Sequence, residues 1–126
     1  MKSIAKHFRL GNWVNYNISN FNTDGQVDAI TKNKISIDGV ISKHMEYKPI
    51  LLTELWLIRF GFSQCNSNQK VYFNKTDESY IINYENNQFE LCIKSYYDDS
   101  EIHLFDLKFV HQLQNIYFDL IGIDLY

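Results

Sequence analysis

The segment DLKFVHQLQNIYFDLIG, residues 106–122, carries the strongest helical pattern in the chain and anchors the expectation for the fold. At about 100° per residue its apolar side chains form one broad stripe. The stripe comprises Leu107, Val110, Leu113, Tyr117, Phe118 and Ile121. Asp106 can cap the start of this helix, and Gly122 can end it because glycine adopts a left-handed conformation at little cost. So wide a stripe needs a partner surface, and we expect the helix to pack across a sheet.

One residue of this helix breaks the pattern. Gln114 falls inside the apolar arc, between Leu107 and Val110 on the helical wheel. A buried amide without hydrogen-bond partners costs about 1–3 kcal/mol. We therefore predict that the side chain of Gln114 bonds to a backbone group of a strand edge or a loop.

Four short segments before the helix are typical of strands separated by turns. They are VYF from residue 71, SYIINY from residue 79, QFELCIKSY from residue 88 and EIHLF from residue 101. In the third of them Phe89, Leu91 and Ile93 alternate with more polar positions, which is the period of a half-buried strand. The pattern predicts a four-stranded antiparallel meander, and we expect the helix of residues 106–122 to pack on it.

The first part of the chain alternates between strand-like and turn-forming stretches. Asp38-Gly39 is its strongest hairpin-turn signal, and the stretch from Asn20 to Gly25 is also expected to turn. After Pro49, the segment LLTELWLIRF predicts a short helix over about 52–61. Thr53 can be its N-cap, and Gly61 can end it.

Together these elements predict an α+β fold: a small SH3-like β unit, a short helix, and an antiparallel meander packed by a C-terminal helix. We expect one compact domain over residues 1–126. Within it, residues 1–48 would form a small barrel-like lobe. Residues 49–126 would form the short helix, the meander and the terminal helix.

Composition and charge narrow the class of protein. The 126 residues are 45% hydrophobic and 21% charged, with a net charge of -3, which argues against a disordered chain and against a generic binder of nucleic-acid phosphates. Residues 1–60 hold eight basic and five acidic side chains, whereas residues 61–126 hold four and ten. An acidic second half suits a basic partner, although ordinary surface solvation accounts for the same asymmetry.

The cysteines and the hydropathy pattern indicate a compartment. Cys65 and Cys92 form no CxxC pair, no secretory signal is visible, and no stretch approaches the ~18–20 apolar residues of a membrane span. We expect a cytoplasmic protein with reduced thiols and no membrane partner.

Three segments together carry a resemblance to a known group of proteins. They are LGNWV at Leu10–Val14, the pattern P-x-x-L-T-E-x-W-L-x-x-F-G-F at Pro49–Phe62, and VHQLQNIYFDLIG at Val110–Gly122. The chain resembles small uncharacterised proteins encoded by phages and mobile elements of Bacteroidota, whose last segment reads V-H-Q-L-Q-N-L-Y-F-x-L-T-G. It departs from that segment at Ile116 and Ile121. The resemblance implies a shared fold and a mobile-element origin, and it implies no activity.

No set of residues in the chain predicts a reaction. A metal site would need His103, His111 and a carboxylate such as Asp106 to converge over long range, and surface or capping roles explain the histidines more simply. Neither cysteine has a helix N-terminus or a histidine beside it in sequence that would activate the thiol. We therefore expect no enzyme activity, no catalytic residue, no metal and no cofactor.

Two surfaces are candidate contact sites. The first is acidic and rich in tyrosine, and its members are Tyr72, Tyr80, Tyr84, Tyr96, Tyr97, Asp98, Asp99 and Glu101. These tyrosines either belong to the core or contact a protein, because base stacking would need a basic track that this half lacks. The second surface is a basic face of the N-terminal lobe, where the candidate nucleic-acid contacts are Lys32, Lys34 and Lys43.

These observations lead to one functional hypothesis and two alternatives. The leading hypothesis is a non-enzymatic accessory protein of a phage or mobile element that binds a host macromolecule. Its sharpest form is an inhibitor of a host defence nuclease, of the anti-CRISPR type, whose acidic half covers a basic nucleic-acid channel. The alternatives are a nucleic-acid-binding module that uses the basic lobe and a small virion or assembly protein.

Overall fold

The structure is a computed structural model that describes residues 8–18, 21–30, 34–41, 46–65, 70–74, 77–95 and 100–126. The described residues form nine strands and two helices, which confirms the α+β class. In chain order these elements are β1 (Trp13–Ile18), β2 (Phe21–Ile30), β3 (Ile35–Ile37), β4 (Glu46–Lys48), α1 (Glu54–Arg59), β5 (Phe62–Gln64), β6 (Val71–Asn74), β7 (Asp77–Glu85), β8 (Gln88–Lys94), β9 (Glu101–Leu107) and α2 (Val110–Ile121).

The chain divides into two compact units. The first unit contains Met1–Leu51 and Phe109–Tyr126, and the second contains Leu52–Lys108. A single compact domain over residues 1–126 stays a prediction. Neither α1 nor α2 is long and apolar enough to cross a membrane.

The first unit is built on an antiparallel sheet with the strand order β3-β2-β1-β4. Its core is a cluster of apolar side chains from these strands and the segment before them: Phe8, Val14, Tyr16, Val27, Ile35 and Ile37. The Asp38-Gly39 turn is confirmed, since both residues have positive φ (51° and 79°), as a two-residue hairpin turn requires. The SH3-like character of this sheet stays a prediction.

The expectation of a turn reaching Gly25 is wrong, because β2 runs without a break from Phe21 to Ile30. Gly25 serves close packing instead. A Cβ atom at this position would lie 2.5 Å from Asp38 Oδ2, 2.7 Å from Ile37 Cγ2 and 2.9 Å from a ring carbon of Tyr16. Only a residue without a side chain lets the sheet close here.

Helix α2 belongs to the first unit, which corrects the expectation that it packs on the meander. The N–H of Val110 donates to the carbonyl of Ile50 at 2.8 Å. The buried ring of His111 lies 4.7 Å from that of Phe8 and stacks on Phe109. Val110, Leu113 and Tyr117 of the predicted stripe are buried in α2, whereas Leu107 lies in β9 and Phe118 is 46% exposed. The period of the stripe does not say which of two sheets it covers.

The start of α2 also differs from the expectation. Asp106 lies in β9, and the N-cap is Phe109. Gln112 provides a hydrogen-bond partner at the start of the helix: its side-chain Oε1 accepts a hydrogen bond from the backbone N–H of Phe109 at 2.9 Å. Gly122 ends the helix with φ 80°, as predicted.

The prediction for Gln114 is confirmed. Its side chain is 5% exposed, and its Oε1 accepts a hydrogen bond from the N–H of Trp13 at 2.9 Å. Its Nε2 donates to the carbonyls of Gly11 (3.0 Å) and Leu125 (2.7 Å). One amide thus joins the loop before β1, the helix and the segment after the helix.

The second unit holds an antiparallel sheet with the order β5-β6-β7-β8-β9. The four strands of the predicted meander are β6 to β9, and β5 is a fifth strand that the polar sequence after Phe62 did not indicate. Helix α1 is shorter than predicted, with Thr53 at its N-cap position, and Gly61 follows it with φ 91°. Trp56 and Leu57 are its buried apolar side chains, and Phe60, directly after the helix, is also buried.

Replacement of Gln114 by alanine should destabilise the protein by about 2–4 kcal/mol, because three backbone groups would lose this partner at a buried position. Urea unfolding at pH 7 measures the change in the free energy of unfolding. The control is Gln88→Ala, since Gln88 is exposed at the start of β8 and should change stability by less than about 0.5 kcal/mol. If the two variants were equally stable, the role given to Gln114 would be wrong.

A second prediction concerns the ion pair between Arg9 and Asp119. The two guanidinium nitrogens of Arg9 donate to the two carboxylate oxygens of Asp119 at 2.7 and 3.0 Å. Hydrogen bonding from Arg9 lowers the pKa of Asp119 below its ordinary value of 3.8. The stabilisation from this pair is therefore present above about pH 4 and is lost as the pH falls through the lowered pKa. Carbon-13 NMR should give a carboxyl midpoint for Asp119 below 3.8 in the wild type, and Arg9→Gln should return it towards 3.8. An unchanged midpoint in that variant would contradict the assignment.

Candidate functional site

The sheet of the second unit has an apolar face that is partly exposed on β9. Side chains of directly paired residues share a face, so the register defines rows across β7, β8 and β9. The rows are Tyr80–Ile93–Ile102, Ile82–Leu91–Phe105 and Tyr84–Phe89–Leu107. Ile82 and Leu91 are fully buried, whereas Phe105 in the same row is 44% exposed.

The exposed end of this face is an apolar edge, formed by Ile102 and Phe105. Ile102 is 57% exposed, and its row neighbours Ile93 and Tyr80 are half-buried. Among the described residues β9 is the last strand of the sheet, so no further strand covers the two side chains. The core face of the sheet therefore continues into solvent at this edge.

The opposite face of the same strands, here called the polar face, carries mostly polar side chains beside the buried Ile81 and Cys92, and a β-bulge shapes it. Leu91 pairs with Phe105 while Cys92 pairs with His103, so Leu104 is an extra residue without a partner in the register. A bulge of this kind changes the face on which later side chains lie. Asp106, which pairs with Glu90, consequently joins His103 on the polar face although three positions separate them.

A hydrogen-bond network links the strands of the polar face. The Nδ2 of Asn83 donates to Glu101 Oε2 at 2.7 Å and contacts the Sγ of Cys92 at 3.5 Å. His103 Nε2 lies 2.9 Å from Asp106 Oδ1, with the two side chains about half exposed. The face thus brings together three carboxylates, an imidazole, an amide and a buried thiol.

The buried thiol is a poor nucleophile in this setting. Burial raises the pKa of Cys92, and the carboxylates of Glu101 and Glu90 raise it further, because both effects disfavour the thiolate. Burial likewise raises the pKa of Tyr72. The environment of Cys92 is that of a packed residue.

Each unit has an open groove among its described residues. A groove of about 410 Å³ lies in the second unit, and its lining includes Val71, Phe73, Ile81, Lys94 and Glu101. Another, of about 360 Å³, lies in the first unit beside α2. Its lining includes Leu10, Phe118, Tyr126, Arg9 and Asp124.

The structure divides the predicted tyrosine-bearing surface. Tyr72 is 3% exposed with its ring 6.4 Å from that of Phe89, so it is a core residue. Tyr84 is half-buried against the same ring at 4.5 Å, and Tyr80 is half-buried in the row that ends at Ile102. Glu101 is exposed on the polar face. The remaining predicted members, Tyr96, Tyr97, Asp98 and Asp99, lie outside the described residues.

The predicted basic surface is described at one position. Lys34 is exposed just before β3, and Lys32 and Lys43 lie outside the described residues. The histidines considered together in the sequence separate by unit: His103 lies in the second, beside Asp106, and His111 is buried in the first.

Sequence reasoning missed Glu90, Ile102 and Phe105. The alternation of Glu90 with Phe89 and Leu91 predicts that Glu90 lies on the polar face. It does not predict which side chains of the neighbouring strands lie beside Glu90. The bulge interrupts the alternation of faces in EIHLF, and no glycine or other turn-forming residue in this segment predicts the bulge. The apolar edge follows from strand order, a long-range property.

The two cysteines should differ in reactivity. We expect iodoacetamide at pH 8 to modify Cys65, which is half-buried, well before Cys92, which is 2% exposed with a raised thiol pKa. Peptide mapping by mass spectrometry follows each thiol separately. In the urea-unfolded control both thiols should react at similar rates. Equal rates in the native protein would contradict the burial of Cys92.

Comparisons of the chain with protein-family models, with curated proteins and with solved structures give no match. The resemblance to phage and mobile-element proteins stays a prediction.

Proposed function

We propose that the chain is a non-enzymatic binding protein that docks a protein partner on the apolar edge of its second unit. The observation that carries the proposal is the exposure of Ile102 (57%) and Phe105 (44%) in rows that are otherwise buried or half-buried. Exposed apolar side chains continuous with a packed face are typical of protein contact sites. Tyr80, a residue of the predicted contact surface, lies in the same row as Ile102.

The charge around this edge favours a basic partner. The second unit contains nine acidic and five basic side chains by sequence. Glu101 and Asp106 flank the exposed apolar residues along β9 and are themselves exposed. These carboxylates lie on the opposite face of β9 from Ile102 and Phe105, so a partner that covers this edge strand with apolar side chains among lysines and arginines can reach both. The acidic charge increases the rate of association with such a partner.

The partner contacts side chains and does not extend the sheet. Strand addition needs a regular row of free N–H and C=O groups along the edge. The bulge at Leu104 interrupts that row in the middle of β9. Bulges and charged residues are the means by which proteins protect an edge from strand pairing. The side chains of Ile102 and Phe105 remain available.

The narrower form of the proposal is an accessory protein of a phage or mobile element, acting in the host cytoplasm on a defence nuclease. The acidic character of the second unit supports it, because nucleic-acid channels are basic and an acidic surface can compete for them. The segment resemblance supports the mobile-element origin.

The test is a comparison of capture by matched variants. The wild type, Phe105→Ser, Ile102→Ser and the control Leu55→Ser are immobilised and exposed to nuclease-treated host lysate. Leu55 is 77% exposed on α1, so its change removes an apolar side chain elsewhere in the same unit. We expect a partner that the wild type and Leu55→Ser retain and that Phe105→Ser binds at least about tenfold more weakly, as for a central contact residue.

Three outcomes would decide against the proposal or its narrower form. Partner binding that survives both β9 substitutions would refute the apolar edge as the site. Capture that disappears after nuclease treatment would indicate a nucleic-acid ligand in place of a protein. A captured protein unrelated to nucleic-acid cleavage would refute the defence-nuclease form alone.

A further inference from the structure

Three side chains on the polar face of the second unit converge on one point. One ligand atom each from Glu90, His103 and Asp106 lies within 4.8 Å of the other two. We propose that this cluster binds a divalent transition-metal ion, with Zn²⁺ as the best-fitting ion. The sequence predicted no metal site, because it gave no reason to place Glu90 beside the other two residues. The proposal is independent of the docking of a partner on the apolar edge.

The backbone builds this cluster through the bulge. In a regular strand His103 and Asp106 would lie on opposite faces, because they are an odd number of residues apart. The extra residue Leu104 brings both to the polar face, where Glu90 is the direct cross-strand neighbour of Asp106. Bulges occur often beside functional sites because they redirect a side chain in this way.

The donor set determines the kind of ion. One imidazole nitrogen and two carboxylates suit Zn²⁺ and its neighbours in the first transition series, whereas Ca²⁺ and Mg²⁺ prefer oxygen ligands alone. Zinc bonds of about 2.1 Å hold tetrahedral ligand atoms about 3.4 Å apart. His103 Nε2 and Asp106 Oδ1, at 2.9 Å, need only a small separation to accept an ion. Both side chains are about half exposed and can rotate, and a fourth position remains for water.

A second observation on the same face is a buried oxygen that lacks a donor. Asn83 is the direct cross-strand neighbour of Glu90 on β7. Its Nδ2 is used by Glu101 and Cys92, but its Oδ1 is buried and has no hydrogen-bond partner among the described residues. A buried acceptor without a donor is costly, and a cation or the water bound to it satisfies such an atom.

The charge of the polar face favours a cation. Glu90, Glu101 and Asp106 place three carboxylates on adjoining strands, and Lys94 pairs in register with Glu101 at the far end of the face. Two carboxylates and a neutral imidazole balance the charge of a divalent ion.

The competing explanation is an ordinary ion pair between His103 and Asp106. Such a pair needs no metal and does not use Glu90. Glu90 is therefore the residue that separates the two explanations, and its exposed counterpart Glu85, on the neighbouring strand and outside the cluster, provides the matched control.

The experiment is isothermal titration of the full chain, freed of metal by chelator, with ZnCl₂ in a non-chelating buffer. We expect one saturable site in the wild type and in Glu85→Gln. Glu90→Gln and His103→Gln should bind at least about 10–100-fold more weakly, because even the loss of a residue that only supports a metal ligand costs that much. Circular dichroism checks that each variant is folded.

A second measurement locates the ion independently of the variants. With Co²⁺ as the probe, paramagnetic broadening of amide signals should centre on Glu90, His103 and Asp106, and the absorption spectrum should lack a thiolate charge-transfer band. Broadening at Cys65, or such a band, would assign the metal to a cysteine and overturn the proposal. The absence of saturable binding would also overturn it and would leave only the ion pair. Full binding by Glu90→Gln would overturn it too, because the ion would then bind without Glu90.

Discussion

The first unit depends on the amide of Gln114, because three segments of backbone meet at this one side chain. Its oxygen receives the N–H of Trp13, and its nitrogen serves the carbonyls of Gly11 and Leu125. A primary amide offers one acceptor and two donors within a single planar group, which an alcohol or a carboxylate cannot reproduce. An apolar residue would complete the helical stripe but would leave three backbone groups short of partners. The polar break in the stripe thus fixes the register of the helix against the start of β1.

Local patterns were sufficient for most elements of the fold. The period of α2, the alternation in β8 and the Asp38-Gly39 turn are properties of neighbouring residues, and the structure confirms them. The partner sheet of α2 was predicted wrongly, because both sheets present an apolar face and the helical stripe does not distinguish them. Gly25 was misread for a related reason. A glycine required by the close approach of Tyr16 and Ile37 has the same sequence signature as a glycine required by a turn.

The candidate sites show the same difference between local patterns, which the sequence predicts, and long-range contacts, which it does not. The sequence predicted a contact surface of tyrosines and carboxylates. In the structure Tyr80 lies in the row that ends at the apolar edge, Glu101 lies on the polar face, and Tyr72 is buried in the core. The strand pattern could assign each residue to a face, but not its depth. Depth depends on which strand is last in the sheet, and that order is set by contacts between residues far apart in sequence. Ile102 and Phe105 are exposed on this terminal strand although their pattern is that of core residues, whereas Leu107 on the same strand is 2% exposed.

A single inserted residue, Leu104, links the two faces of the second unit. Without it, β9 would offer a regular edge to any extended chain, and Asp106 would leave the polar face. With it, the edge is broken for strand pairing, the apolar side chains of Ile102 and Phe105 remain as the accessible contact, and His103 comes beside Asp106 and Glu90. The bulge costs backbone hydrogen bonds in the ladder between β8 and β9. Both proposed contacts, the apolar edge and the cluster of Glu90, His103 and Asp106, depend on this one register shift.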